Sequence, residues 1–225
     1  MSETIKICGL STRESVDAAL GAGADMIGLV RYERSPRHVS LDVGRELSQA
    51  AKGRAVVVAL TVDPDDAELD AIMQSLAPDW LQLHGHESPA RVAEIRARAG
   101  IPVMKAIGIA DEADLAVISA YAAVSDRLLL DAKPPRDAGA LPGGNGLAFD
   151  WRLIDALDPG LDFMLSGGLS PENVAEAVAL ANISGIDVSS GVESAPGVKD
   201  PERIAAFVQA ARAAWARRSE KVENS

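Results

Sequence analysis

Arg127-Leu128-Leu129-Leu130-Asp131-Ala132-Lys133 is the stretch on which the fold turns. It has the length and apolar character of a β-strand, and it closes on an acid. Side chains alternate along a strand with period two. Leu128 and Leu130 therefore share one face, and Leu129 and Asp131 the other. Strands covered on both sides by other elements read as nearly continuous apolar runs. A carboxyl group near the end of such a run costs a few kcal/mol unless it is paired or used.

The same anomaly recurs outward from this stretch. Further strands are expected at Ile5 to Gly9, Asp25 to Val30, Ala55 to Val62, Trp80 to Gly85, Pro102 to Ile109, Phe163 to Gly167 and Gly185 to Ser189. In the first, Lys6 and Cys8 oppose Ile5 and Ile7; in the fourth, Gln82 and His84 oppose Leu81 and Leu83. In the eighth, Asp187 and Ser189 oppose Ile186 and Val188.

Amphipathic segments separate these runs. Ser11 with Glu14 three residues on reads as a capped helix start, and Asp63-Pro64, Ser170-Pro171 and Asp200-Pro201 each set a proline at a first helical position. Strict alternation of strand and helix implies a parallel sheet. Eight units of roughly 25 to 30 residues imply a closed single-domain (β/α)8 TIM barrel rather than an open sheet. One domain is expected over residues 1–216, with a charged, frayed tail over 217–225.

In this architecture the apolar strand faces meet the helices and the other faces point inward. The C-terminal strand ends carry the active site. Cys8, His84, Asp131 and Asp187 are thus expected to converge on one mouth. Leu165-Ser166-Gly167-Gly168 follows strand seven and Ser189-Ser190-Gly191 follows strand eight, where barrels bind phosphate through main-chain N–H groups. Gly143-Gly144-Asn145-Gly146 reads as a lid or a further source of such donors. Arg37, after strand two, is of a type that holds a carboxylate bidentately.

Composition narrows the classes. The net charge is -11 over 225 residues, which disfavours nucleic acid and anionic membranes as partners. The single cysteine excludes an intramolecular disulfide and suits a reducing cytoplasm. No apolar run reaches the roughly 18 residues of a membrane span. Met1 to Lys6 is short and polar, so no signal peptide is expected.

The motifs Lys6-Ile7-Cys8-Gly9-Leu10, Ser35-Pro36-Arg37-His38, Gln82-Leu83-His84-Gly85, Leu128 to Lys133, Gly143 to Trp151, Leu165 to Val174 and Asp187 to Glu193 occur in one order across nearly the whole chain. In this set the chain resembles the phosphoribosylanthranilate isomerases of tryptophan biosynthesis. The resemblance implies that Cys8 is a general base, Asp131 a general acid, and Arg37 the group that holds the anthranilate carboxylate. It implies that Asp187 lies near the anthranilate moiety and that Gly144, Gly168, Ser190 and Gly191 belong to phosphate loops. His84 lies at the mouth without a proton-transfer role. Arg31, His38, Leu147 and Ala148 depart from the family pattern and leave the detail of their loops open.

The implied reaction is an Amadori rearrangement of a small phosphosugar, which needs no cofactor and no metal. A carboxyl group must hold its proton to open the ring, and a sulfur must lose its own to take one from carbon; their surroundings must push the two in opposite directions. Other phosphosugar barrels fit less well. An indole-glycerol-phosphate synthase typically has a longer N-terminal extension and a lysine-glutamate set; metal-dependent epimerases need several inward His and Asp ligands. A dual-substrate sugar isomerase would carry an aspartate where Cys8 stands. A non-catalytic barrel that binds a phosphorylated metabolite would need no acid and base. A monomer or a homodimer is equally compatible with the sequence.

Overall fold

A computed structural model of the chain describes residues 3–133, 150–158, 160–180, 183 and 185–223. Eight parallel strands close into a barrel in sequence order: β1 (Thr4–Cys8), β2 (Met26–Arg31), β3 (Val56–Thr61), β4 (Trp80–Leu83), β5 (Val103–Ile109), β6 (Arg127–Ala132), β7 (Phe163–Leu165) and β8 (Gly185–Val188). β8 pairs with β1 to complete the ring, setting Lys6 opposite Asp187. Six strands stop short of the expected ends, β4, β7 and β8 among them. His84, Gly85, Ser166, Gly167 and Ser189 have left the ladder and belong to the loops above it.

The helices are α1 (Arg13–Ala22), α2 (Leu41–Ala51), α3 (Asp66–Leu76), α4 (Pro89–Ala99), α5 (Ile118–Ala122), α6 (Val174–Leu180) and α7 (Pro201–Glu223). Three helix starts differ from expectation. Thr12, not Ser11, caps α1, in a reciprocal box with Ser15 rather than with Glu14. α3 starts at Asp66 behind Asp65, because Asp63 turns away with a positive φ and accepts a hydrogen bond from the His86 N–H. α6 starts at Val174, because Asn173 folds back onto Ser170 and Gly168 and makes a turn of the preceding residues. Pro201 does open α7 as expected, and that helix runs through Arg217 to Glu223, beyond the expected end of the barrel domain. Among the described residues, a 3-10 turn (Trp151–Ala156) is the helical element between β6 and β7. A short antiparallel hairpin follows β8, made of β9 (Glu193–Ala195) and β10 (Val198–Lys199), and the sequence pattern did not announce it.

The outward faces of the strands and the inner faces of the helices form the main core, with Ile5, Ile7, Leu81, Leu128, Leu130, Phe207 and Trp215 in it. Inside the barrel, Met26, Val58, Met104, Ala106, Leu129 and Met164 form a second apolar plug. Below that plug the N-terminal rim is stitched by aspartates. Asp25, Asp79 and Asp126 each precede a strand and accept a main-chain N–H at the start of the neighbouring one, from its first or second residue, Ile5, Val57 and Val103, at 2.7, 2.8 and 2.8 Å. Among the described residues no helix is long and apolar enough to cross a membrane.

Candidate active site

Above the plug the inward positions turn polar. Two residues beyond Leu129, Asp131 points into the mouth at 5% exposure. Its Oδ1 accepts the Ala132 N–H at 2.9 Å, and its Oδ2 lies 3.2 Å from His84 Nε2. The Gln82 amide nitrogen sits 3.0 Å from His84 Nδ1. If that amide donates, the imidazole carries its hydrogen on Nε2 and donates it to Asp131. Alternation along β4 puts Gln82 and His84 on one face, so this chain of contacts follows from period two.

Three strands away, Cys8 ends β1 on the inward face and is buried. The sulfur rests against bare backbone: a Cβ on Gly28 would lie 2.7 Å from Sγ. Val30 and Leu60 complete its apolar side. Burial pushes the Cys8 thiol up, the Lys6 ammonium pulls it down, and Asp187 pushes it up again, with a net rise. Lys6 and Asp187 are an ion pair at 2.7 Å, both buried, and Ser166 Oγ donates to the other Asp187 oxygen at 3.1 Å. Asp187 is thus committed to Lys6 and Ser166 while it faces the mouth.

Arg37 holds a carboxylate bidentately, as its type allows, but that carboxylate is the protein's own Glu193. Nε and Nη2 donate to Glu193 at 2.7 and 2.8 Å. Lys199 adds a third link at 2.7 Å and also donates to the Ser189 carbonyl at 2.9 Å. Burial opposes the charge on Glu193, but Arg37 and Lys199 outweigh it and hold the carboxyl below the usual glutamate range. Two loops, after β2 and after β8, are fastened together by this cluster.

The loops after β7 and β8 touch as well. Gly167 has φ +83°, and a side chain there would strike the Ala132 main-chain nitrogen. A Cβ on Gly191 would overlap the Leu169 carbonyl. Gly167 therefore stands against Asp131 and Ala132, and the loop of Ser190 and Gly191 meets the loop of Gly168 and Leu169 at the same end of the barrel. Ser190 opens a 3-10 turn, Ser190–Val192, as barrels often provide for phosphate. Gly144, with Leu147 and Ala148, lies outside the described residues. Arg31 and His38, two departures from the family pattern, contact each other: Arg31 Nη1 is 3.3 Å from His38 Nε2 and also donates to the Val39 carbonyl. Among the described residues no three His, Cys, Asp or Glu side chains are grouped to hold a metal ion.

Sequence reasoning gave Lys6, Gln82, Glu193 and Lys199 no part in the site. Lys6 and Gln82 carried a signal, since each shares its strand's inward face with a candidate. Glu193 stood in a quoted motif without a role. Nothing local marks Lys199, which arrives through the hairpin.

A family model described as N-(5'phosphoribosyl)anthranilate (PRA) isomerase matches residues 5–210. An N-(5'-phosphoribosyl)anthranilate isomerase of Rhodopseudomonas palustris (strain BisA53) is 61% identical over 209 residues, 93% of this chain and 95% of the relative. That of Bradyrhizobium diazoefficiens is 59% identical over 213 residues, 95% of each chain. Among solved structures, phosphoribosyl anthranilate isomerase from Thermotoga maritima superposes with a TM-score of 0.84 at 32% identity, covering 95% of this chain and 100% of the other. A phosphoribosyl anthranilate isomerase in complex with reduced 1-(o-carboxyphenylamino)-1-deoxyribulose 5-phosphate superposes at 0.81 with 31% identity, over 95% and 100% of the two chains. Matched from β1 into α7, near 60% identical to full-length relatives and built on the same barrel, the chain belongs to the N-(5'-phosphoribosyl)anthranilate isomerase family.

Proposed function

We propose that the mouth converts N-(5'-phosphoribosyl)anthranilate to 1-(2-carboxyphenylamino)-1-deoxyribulose 5-phosphate, with Asp131 as general acid and Cys8 as general base. One observation carries the reading: a thiol on β1 and a carboxyl on β6 both face inward at the C-terminal strand ends, flanked by the small-residue loops after β7 and β8. The solved relative that holds a reduced product analogue supports the substrate class.

Asp131 donates its proton to the furanose ring oxygen, the C1'–O bond breaks, and the anthranilate nitrogen forms a Schiff base to C1'. Cys8 then removes the C2' proton to give the enolamine, which tautomerises to the ketone. The Asp131 carboxyl is held at both oxygens, by His84 and by the Ala132 N–H, and so is aimed without rearrangement. His84 acts here by holding the acid. Main-chain N–H groups of Gly168, Ser190 and Gly191 receive the phosphate. Arg37 receives the anthranilate carboxylate, with Glu193 holding its guanidinium at Nε and Nη2. Asp187 reaches the ligand indirectly, through Lys6 and Cys8.

The test is a fluorescence assay with freshly prepared phosphoribosylanthranilate. Wild type is expected to consume it, and Cys8→Ala to lose activity by orders of magnitude while circular dichroism stays unchanged. Near-normal turnover in Cys8→Ala would remove the thiol from the mechanism.

A further inference from the structure

Lys6 is fully buried in the barrel wall, one inward position below Cys8. A buried ammonium costs several kcal/mol unless it is paired with good geometry. Asp187 supplies that partner at 2.7 Å, from the residue directly opposite in the β1–β8 register. The same ammonium shares the inward face of β1 with Cys8, and its charge draws the thiol down against burial. Ser166 takes the far oxygen of Asp187 and fixes the carboxylate. The sulfur has apolar neighbours on its other side, Val30 and Leu60, and a thiolate there would gain little from water.

We propose that Lys6 is the positioning residue of the base: its ammonium, anchored by Asp187, is the counter-charge against which the Cys8 sulfur loses its proton and then accepts one from the substrate. This rests on the reading of Cys8 as the base. The proton that Cys8 takes comes from C2' and leaves with the next deprotonation of the thiol; Lys6 keeps its own throughout. Other charged groups face the sulfur less directly. Lys199 is engaged by Glu193 and the Ser189 carbonyl, and Arg37 is engaged by Glu193. Tyr32 packs nearby, and Asp131 and His84 face the mouth from β6 and the loop after β4. Asp187 opposes Lys6 in its effect on the sulfur, so removing the carboxylate and removing the whole pair must act in opposite directions.

Cys8 is the only cysteine, so alkylation by iodoacetamide across pH reports on this sulfur alone. The measurement uses the full chain without substrate. Asp187→Asn is expected to lower the alkylation midpoint by about half a pH unit or more, because a repelling charge is gone. The double variant Lys6→Met with Asp187→Asn leaves no orphan charge and is expected to raise the midpoint by about one unit, with alkylation near neutrality about tenfold slower. The basic limb of kcat/KM should move with the midpoint in each variant. A double variant whose midpoint stays within about 0.3 unit of wild type, or falls, overturns the proposal. If Asp187→Asn raises the midpoint, it also fails. These outcomes are independent of the Cys8→Ala assay, so unchanged midpoints beside an inactive Cys8→Ala would reject Lys6 and retain the base.

Discussion

Asp126 and Asp131 stand five residues apart at the two ends of β6 and do different work. Asp126, at the N-terminal rim, accepts the Val103 N–H at 2.8 Å and forks onto Arg96 at 2.9 and 2.6 Å. Every one of its partners belongs to the scaffold. Asp131, at the C-terminal rim, touches one main-chain N–H and one imidazole, and the rest of its surface turns to the mouth. Between them Leu129 belongs to the apolar plug that separates the two rims. One strand thus carries a stitch, a plug and a reagent in sequence. The same residue type is structural where its partners saturate it and chemical where they leave a side open.

The largest effect expected from this contrast is on rate. Asp131→Asn keeps the shape and removes the transferable proton, so kcat should fall by about 10² to 10⁴, the usual range for a general acid. The urea midpoint should barely move. A variant that lost stability but kept its rate per folded molecule would reverse the roles of the two aspartates. Asp126→Ala should do the opposite. It leaves a main-chain N–H of β5 without its partner, and a loss of about 1 to 3 kcal/mol in urea unfolding is expected at unchanged kcat per folded molecule. A tenfold fall in kcat would show that the lower rim reaches the chemistry.

A smaller effect belongs to the side of the mouth that is itself saturated. Glu193 engages Arg37 much as Arg96 engages Asp126, but at the upper rim. Glu193→Gln should loosen the guanidinium and raise KM about tenfold, roughly 1.4 kcal/mol of binding, with kcat within about threefold of wild type. A large loss of kcat at constant KM would mean that Glu193 acts on the reacting atoms.

The barrel was legible in the sequence because its determinants are local. Eight short apolar runs, turn residues and capped helices repeat along the chain, and the polar breaks at Cys8, His84, Asp131 and Asp187 fall at the strand ends that face the mouth. What stayed hidden depends on contacts between distant residues. Lys6 and Asp187 are 181 positions apart and meet only because β8 closes against β1. Arg37 reaches Glu193 across 156 positions, and the hairpin that delivers Lys199 has no periodic signature. The start of α3 was misplaced because Asp63 chose a longer-range partner in His86, whereas those of α1 and α6 moved through local contacts, Thr12 with Ser15 and Asn173 with Ser170. The departures at Arg31 and His38 looked independent in sequence and are neighbours in space.

The finest test of the comparison is in acid. Burial alone would raise the Asp126 carboxyl, but the Arg96 guanidinium and the Val103 N–H outweigh it and hold it below the usual aspartate range. A folded value below the unfolded one means that the unfolded chain binds the proton first, so the carboxylate's contribution is complete above the ordinary aspartate value of about 3.9 and fades as pH falls through the lower folded value. The stability gap between wild type and Asp126→Asn should therefore be flat from neutrality down to about pH 5 and narrow below pH 4. Arg96 is half exposed, so salt should shrink the guanidinium's share while leaving the bond to Val103. A gap that instead widened on acidification would mean that Asp126 is held in its protonated form, and the lower rim would then be the one carrying a poised acid.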